Sequence, residues 1–155
     1  MVEISDLLSP EAVLANLKVT SKKQVLQELA ARAAVVSGMP EREIFDTLLE
    51  RERLGTTGVG RGVAIPHGKL PKLERIHAVF ARLANPIDFD SIDDEPVDVI
   101  FLLLAPESAG ADHLKALARV SRLLRDGSVC AKIRGADDSE ALFALLCEAT
   151  NSAAA

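Results

Sequence analysis

The sequence predicts a single α/β domain, a mixed β-sheet flanked by α-helices on both faces. Stretches with apolar residues at helical spacing alternate with short apolar runs bounded by glycine and proline. One of these runs, Val97 to Ala105, is apolar almost without a break, which suits a strand covered on both faces. With 155 residues and 48% apolar content, the chain can build one aliphatic core and bury about two thirds of its unfolded surface.

The first helix opens at Ser21, with Gln24 placed as in a capping box. Val25, Leu29, Ala33 and Val36 form its stripe, and Gly38 is its stop. Pro40 takes the first position of a second helix, whose stripe is Ile44, Phe45, Leu48 and Leu49; Gly55 ends it, with Arg51 in its last turns. Residues 55–62, Gly-Thr-Thr-Gly-Val-Gly-Arg-Gly, hold too many glycines for a helix and are expected to form a loop whose hydroxyls and amides can line an anion site. Val63 to Ile65 is a short strand cut off by Pro66, so His67 and Gly68 fall just past its end, at a surface. Strands follow at Ile76 to Leu83 and Val97 to Ala105, joined by a turn-rich acidic loop. A long helix is expected from Ala111 to Arg125, then a weaker segment at Val129 to Ile133, then a last helix capped by Asp138 or Ser139 and ending near Glu148. The domain thus covers 1–150, and 151–155 is expected to be a frayed, disordered tail.

Composition removes several functions. A formal charge of -5, with five Phe and no Trp or Tyr, offers neither the cationic patch nor the aromatic platform of a nucleic-acid partner. No apolar stretch approaches the roughly 20 residues of a membrane span, so no membrane insertion is expected. No secretory-type leader is visible, which points to a cytoplasmic protein, and Cys130 and Cys147 lack metal spacing and read as small core residues. Gly58-x-Gly60-x-Gly62 is neither the dinucleotide fingerprint nor a phosphate-binding loop ending in Gly-Lys-Ser/Thr. The six acidic residues between Asp88 and Asp98 lack the calcium-loop glycine and terminal Glu and read as a solvated loop. No metal and no cofactor are expected.

Three histidines remain. His77 reads as a strand residue. His113 stands at the start of the long helix, where the helix dipole disfavours imidazolium, and it continues the stripe Leu117, Val120 and Leu124; a neutral, inward-facing ring is expected. His67 stands beside the glycine-rich stretch. A phosphorylated imidazole needs an accessible nitrogen and donors for three phosphoryl oxygens; Arg51, Thr56, Thr57 and the amides around Gly58 and Gly68 are candidates. One arginine with weaker hydroxyl and amide donors suits a group that must be given away again.

Residues 52–68, ERLGTTGVGRGVAIPHG, resemble the phosphorylation-site signature of mannitol/fructose-type enzyme IIA domains of the bacterial phosphotransferase system. Phe89-Asp90, Pro96 to Leu103, Ala105-Pro106 and His113-Leu114 are similar to the same family, so the resemblance spans nearly the whole chain. It implies that His67 receives a phosphoryl group from a histidine phosphocarrier protein, that Arg51 stabilises the phosphate, and that His113 orients the ring or the phosphate. The form Gly-Thr-Thr-Gly-Val-Gly-x-Gly-Val-Ala-Ile-Pro-His-Gly-Lys most resembles the nitrogen-regulatory branch. That branch implies regulated protein targets, with potassium-transport and sensor-kinase systems as candidates. Two other readings stay open: a sugar-specific component that passes phosphate to a IIB domain, and a binding regulator that is never phosphorylated.

Overall fold

In a computed structural model, residues 3–154 are described, with side chains up to Glu148. Six strands form one mixed sheet: β1 (Val13–Leu17), β2 (Gly58–Gly60), β3 (Val63–Ala64), β4 (His67–Leu70), β5 (His77–Ile87) and β6 (Val97–Pro106). Their order is β1-β5-β6-β3-β2, with β4 also on β6. β5 runs antiparallel to β6 and β2 to β3, whereas β1 is parallel to β5 and both β3 and β4 are parallel to β6.

The helices are α1 (Ile4–Leu7), α2 (Lys22–Ser37), α3 (Glu41–Leu54), α4 (Ala111–Arg125), α5 (Gly127–Gly135) and α6 (Ser139–Ala154). By contact they fall into two groups. α2 and α3 pack on each other and on β5 and β4; α4, α5 and α6 pack together, with α4 on β6 and α6 on β1 and α1. The strand between them, β6, is buried throughout except at Asp98, as its apolar run requires. Phe80 and Phe101, paired across β5 and β6, meet edge to face at 6.0 Å in the core.

Local chemistry accounts for the helix ends. The Gln24 amide donates to Ser21 Oγ at 3.1 Å, and Gly38 closes α2 in the left-handed region at φ 76°. Gln24 spends its own amide oxygen on Thr20 rather than on Ser21, so the capping box is only half formed. Pro40 is the cap of α3 and not its first helical residue. The Asp138 carboxylate caps α6 by accepting from the Ala141 amide at 2.7 Å.

The structure also departs from expectation. Residues 55–62 are not all loop: Gly58 and Gly60 pair with Ala64 and Val63, and a turn at Arg61-Gly62 makes a hairpin. His67 does not trail a strand end but begins one, because β3 and β4 are two pieces of a single line along β6, broken at Ile65-Pro66. Pro66 cannot donate to the ladder, although its carbonyl still accepts from the Leu103 amide at 3.0 Å. β5 reaches Ile87, the weak segment is the full helix α5, and α6 passes Glu148. The frayed tail expected over 151–155 lies outside the residues whose side chains are described. Nothing was foreseen before Ser21, where α1 and the edge strand β1 stand.

Candidate functional site

The site forms where the end of α3, the start of β4 and the start of α4 converge. Arg51 lies in the last turn of α3, and its Nη1 donates to the Gly55 carbonyl at 2.9 Å, the residue that caps the helix. This anchor holds the guanidinium so that Nε donates to Nε2 of His67 at 3.3 Å. On the other edge of the ring, Nδ1 lies 3.0 Å from the Ile65 carbonyl. A carbonyl only accepts, so the network assigns the proton to Nδ1 and the lone pair to Nε2, the atom that must accept from Arg51.

His113, third residue of α4, is buried, and its ring centroid is 5.8 Å from that of His67 at an interplanar angle of 53°. Burial pushes its pKa below the usual histidine value, and the neighbouring His67 and Lys69 push it further the same way. The ring is therefore neutral at neutral pH, as its place in the first turn of a helix favours. Its Nδ1 is buried without a hydrogen-bond partner among the described residues, as are Arg82 Nε and Ser91 Oγ away from the cavity.

These groups line a cavity of about 730 Å³ together with Thr47, Gly68 and Lys69, and Leu54, Leu114 and Leu117 form its apolar side. Arg51, Arg53 and Lys69 supply three cations against the single carboxylate of Glu50, so the cavity is electropositive. Leu54 and Leu114 stand 86% and 67% exposed at its mouth. Gly68 makes a close approach to α3: a Cβ there would lie 2.8 Å from Thr47 Cγ2, so the Thr47 side chain would have to shift.

The structure thus brings His67, His113, Arg51 and Gly68 together. It does not bring Thr56, Thr57 or Gly58 to the same cavity. Thr56 Oγ1 donates to the Phe89 carbonyl at 2.8 Å and accepts from the Gly58 amide at 3.0 Å. Thr57 donates through its hydroxyl to Glu52 Oε2 at 2.5 Å and through its amide to Oε1 at 3.1 Å. Those donors are committed to holding the hairpin. Sequence reasoning gave no role to Lys69, Arg53 or the leucine pair; Lys69 follows the His67-Gly68 pair, Leu54 precedes the helix-ending Gly55, and Leu114 follows His113 in the first turn of α4.

The remaining candidates lie elsewhere. His77 begins β5 half-buried, its pKa lowered by burial and by Arg75. Cys130 is buried and Cys147 half-buried, and burial raises both thiols, which makes them poor nucleophiles. Asp93, in the acidic loop, packs on the turn of the hairpin, where its carboxylate accepts from the amides of Arg61 and Glu95. Among the described residues no helix is long and apolar enough to cross a membrane.

Fold and cavity define an α/β protein with a neutral imidazole held against a guanidinium in an electropositive, partly apolar recess fit for a small anion. The chain belongs to the family described as phosphoenolpyruvate-dependent sugar phosphotransferase system, EIIA 2, whose profile matches residues 6–149. It is 64% identical over 143 residues to a nitrogen regulatory protein of Bradyrhizobium diazoefficiens, covering 92% of this chain and 94% of that one. A nitrogen regulatory protein of Escherichia coli is 37% identical over 94% of this chain and 90% of its own length. The crystal structure of nitrogen regulatory protein IIA-Ntr from Neisseria meningitidis superposes with a TM-score of 0.88 at 32% identity, covering 92% of this chain and 98% of that one. The expected family, and the likeness to its nitrogen-regulatory branch, stand; membership supports a role in a phosphotransfer relay.

Proposed function

We propose that the protein accepts a phosphoryl group on Nε2 of His67 from the phosphohistidine of a small histidine phosphocarrier protein, and that its phosphorylation state regulates partner proteins. The observation that carries this is the pairing of His67 through both ring nitrogens, which leaves a lone pair on the nitrogen that faces Arg51. In the transfer, the donor's P–N bond breaks with its electron pair returning to the donor imidazole, while Nε2 forms the new bond in line.

Positive charge builds on the His67 ring as that bond forms. The Nδ1–H bond to the Ile65 carbonyl stabilises it, the part an orienting acceptor plays behind any nucleophilic or basic imidazole. Arg51 must slip from Nε2 to the equatorial oxygens; its bond to Nε2 is long at 3.3 Å, so the exchange costs little. His113, neutral and with Nδ1 unspent, offers a hydrogen bond without adding a cation. A single anchored arginine stabilises the phosphoryl group without trapping it.

The test is incubation with phosphoenolpyruvate, enzyme I and the small phosphocarrier. The expected result is a mass gain of about 80 Da that is lost in acid and absent from His67→Ala. A fully labelled His67→Ala protein would overturn the assignment, and no gain in the unaltered protein would favour a binding regulator that is never phosphorylated.

A further inference from the structure

Glu52 is a buried carboxylate that the transfer step does not touch. It follows Arg51 on α3, is 8% exposed, and does not line the cavity. A buried carboxylate is costly unless its oxygens are paired, and these are: Oε1 takes the Thr57 amide and the Lys22 ammonium at 3.0 Å, while Oε2 takes the Thr57 hydroxyl. Lys22, the first residue of α2, is itself held with its Nζ 4.7 Å from the centroid of the Phe89 ring.

What Glu52 fixes is the backbone of Thr57, and that backbone leads back to the site. The Thr57 carbonyl accepts from the Ile65 amide at 3.0 Å, and the Ile65 carbonyl accepts from Nδ1 of His67 at 3.0 Å. The Ile65-Pro66 peptide has no N–H, and the next carbonyl, that of Pro66, is taken by Leu103, so this short stretch is pinned on both sides. We infer that Glu52 is a positioning residue for His67: by clamping Thr57 it sets the Ile65 carbonyl, which keeps the proton on Nδ1 and the lone pair on Nε2. Because Arg51 precedes Glu52 on the same helix, one anchor places both the acceptor nitrogen and the guanidinium that faces it.

The consequence for rate rests on the phosphoryl-acceptor reading above; the consequence for the tautomer does not. The experiment is long-range ¹H–¹⁵N correlation of the histidine rings at a pH above their titration, with the transfer rate from the small phosphocarrier measured in parallel. The unaltered protein is expected to show His67 protonated at Nδ1. In Glu52→Gln and Thr57→Val the Nε2–H form should appear, with transfer slowed about tenfold at saturating donor and half-saturation unchanged, the lower range for losing an orienting partner behind a histidine. Thr57→Ser keeps the hydroxyl and should restore both readouts to within about twofold. If both variants melt earlier yet keep His67 wholly in the Nδ1–H form, or if the unaltered protein already holds Nε2–H, the inference is overturned. Should Glu52→Gln fail to fold, Thr57→Val decides, since it leaves the carboxylate paired with Lys22 and with the Thr57 amide. A protein that is never labelled would refute the acceptor reading, and the ring spectra would still judge Glu52.

Discussion

The cavity around His67 and the hairpin of residues 55–62 adjoin each other in the sequence, and both look like places to hold a phosphate, but their polar groups are used in opposite ways. In the hairpin nearly all are spent, the buried Ser91 hydroxyl packed against Gly58 being the exception among the described residues. Thr56 holds the Phe89 carbonyl, Thr57 holds Glu52, Asp93 caps the turn at Arg61, and Arg134 ties the Arg61 carbonyl to Asp98. In the cavity they are used less fully: Arg51 is anchored on Gly55 at 2.9 Å but meets His67 only at 3.3 Å, and His113 Nδ1 has no partner among the described residues. A ligand must replace the bonds it breaks, so the region with unspent groups is the one fit to receive it, and the region with spent groups is fit to position it.

That contrast is broken most directly by variants that should affect one region's observable and spare the other's. Arg51→Ala is expected to give the largest effect, a fall of about 10² to 10³ in transfer rate, or ~3–4 kcal/mol, as for loss of one preorganised donor to a developing anion. Its melting temperature should change little, because among the described residues the one bond of Arg51 that bears on the fold is that to Gly55. Gly62→Ala should do the reverse. Gly62 sits at φ 79°, and a Cβ there would lie 2.5 Å from Arg134 Nη2, which must then release the Arg61 carbonyl. The cost is about 2 kcal/mol, read as a melting temperature lower by about 4–8 °C, with transfer per folded molecule unchanged within a few-fold. Thr56→Val is a milder version, about 1 kcal/mol, from leaving the Gly58 amide without its acceptor. Equal losses of rate from Arg51→Ala and Thr56→Val would erase the distinction.

How the sequence was legible follows the same division. Helices α2, α3 and α4 and the strand β6 announce themselves through stripes, caps and an unbroken apolar run, because burial dictates their residues one by one. The grouping of Arg51, His67 and His113 was readable from a long signature and from their placement at helix and strand ends. The fate of Thr56 and Thr57 was not readable, because a hydroxyl beside glycines looks the same whether it faces a ligand or a carbonyl 33 residues away. Nor was β2, since Gly58 and Gly60 carry no strand preference and pair only because Val63 and Ala64 lie across the turn. Edge strand β1 is short and half-buried, with Asn16 in the left-handed region at φ 51°, which breaks the alternation that would have marked it.

The smallest predicted effect separates the two regions by pH. In the cavity, burial and its neighbours hold the His113 pKa below about 6.5, so the unfolded chain takes up this proton at a higher pH than the folded one. Stability from this group is therefore complete above about pH 6.5 and is lost as pH falls through the lower folded value. His77 adds a change of the same sign. In the hairpin, the amides of Arg61 and Glu95 hold the Asp93 carboxyl below its ordinary 3.8, so its contribution stays intact until pH falls beneath that value. Acid should thus loosen the cavity first and the hairpin later. Chemical denaturation at stepped pH should show His113→Gln flattening the loss just below pH 6.5, and Asp93→Asn flattening only the loss below about pH 4. A His113→Gln protein whose stability still falls as steeply as the unaltered one between pH 6.5 and 5 would mean that the buried ring carries no unfavourable proton, and that this ring does not make the cavity the first region to loosen in acid.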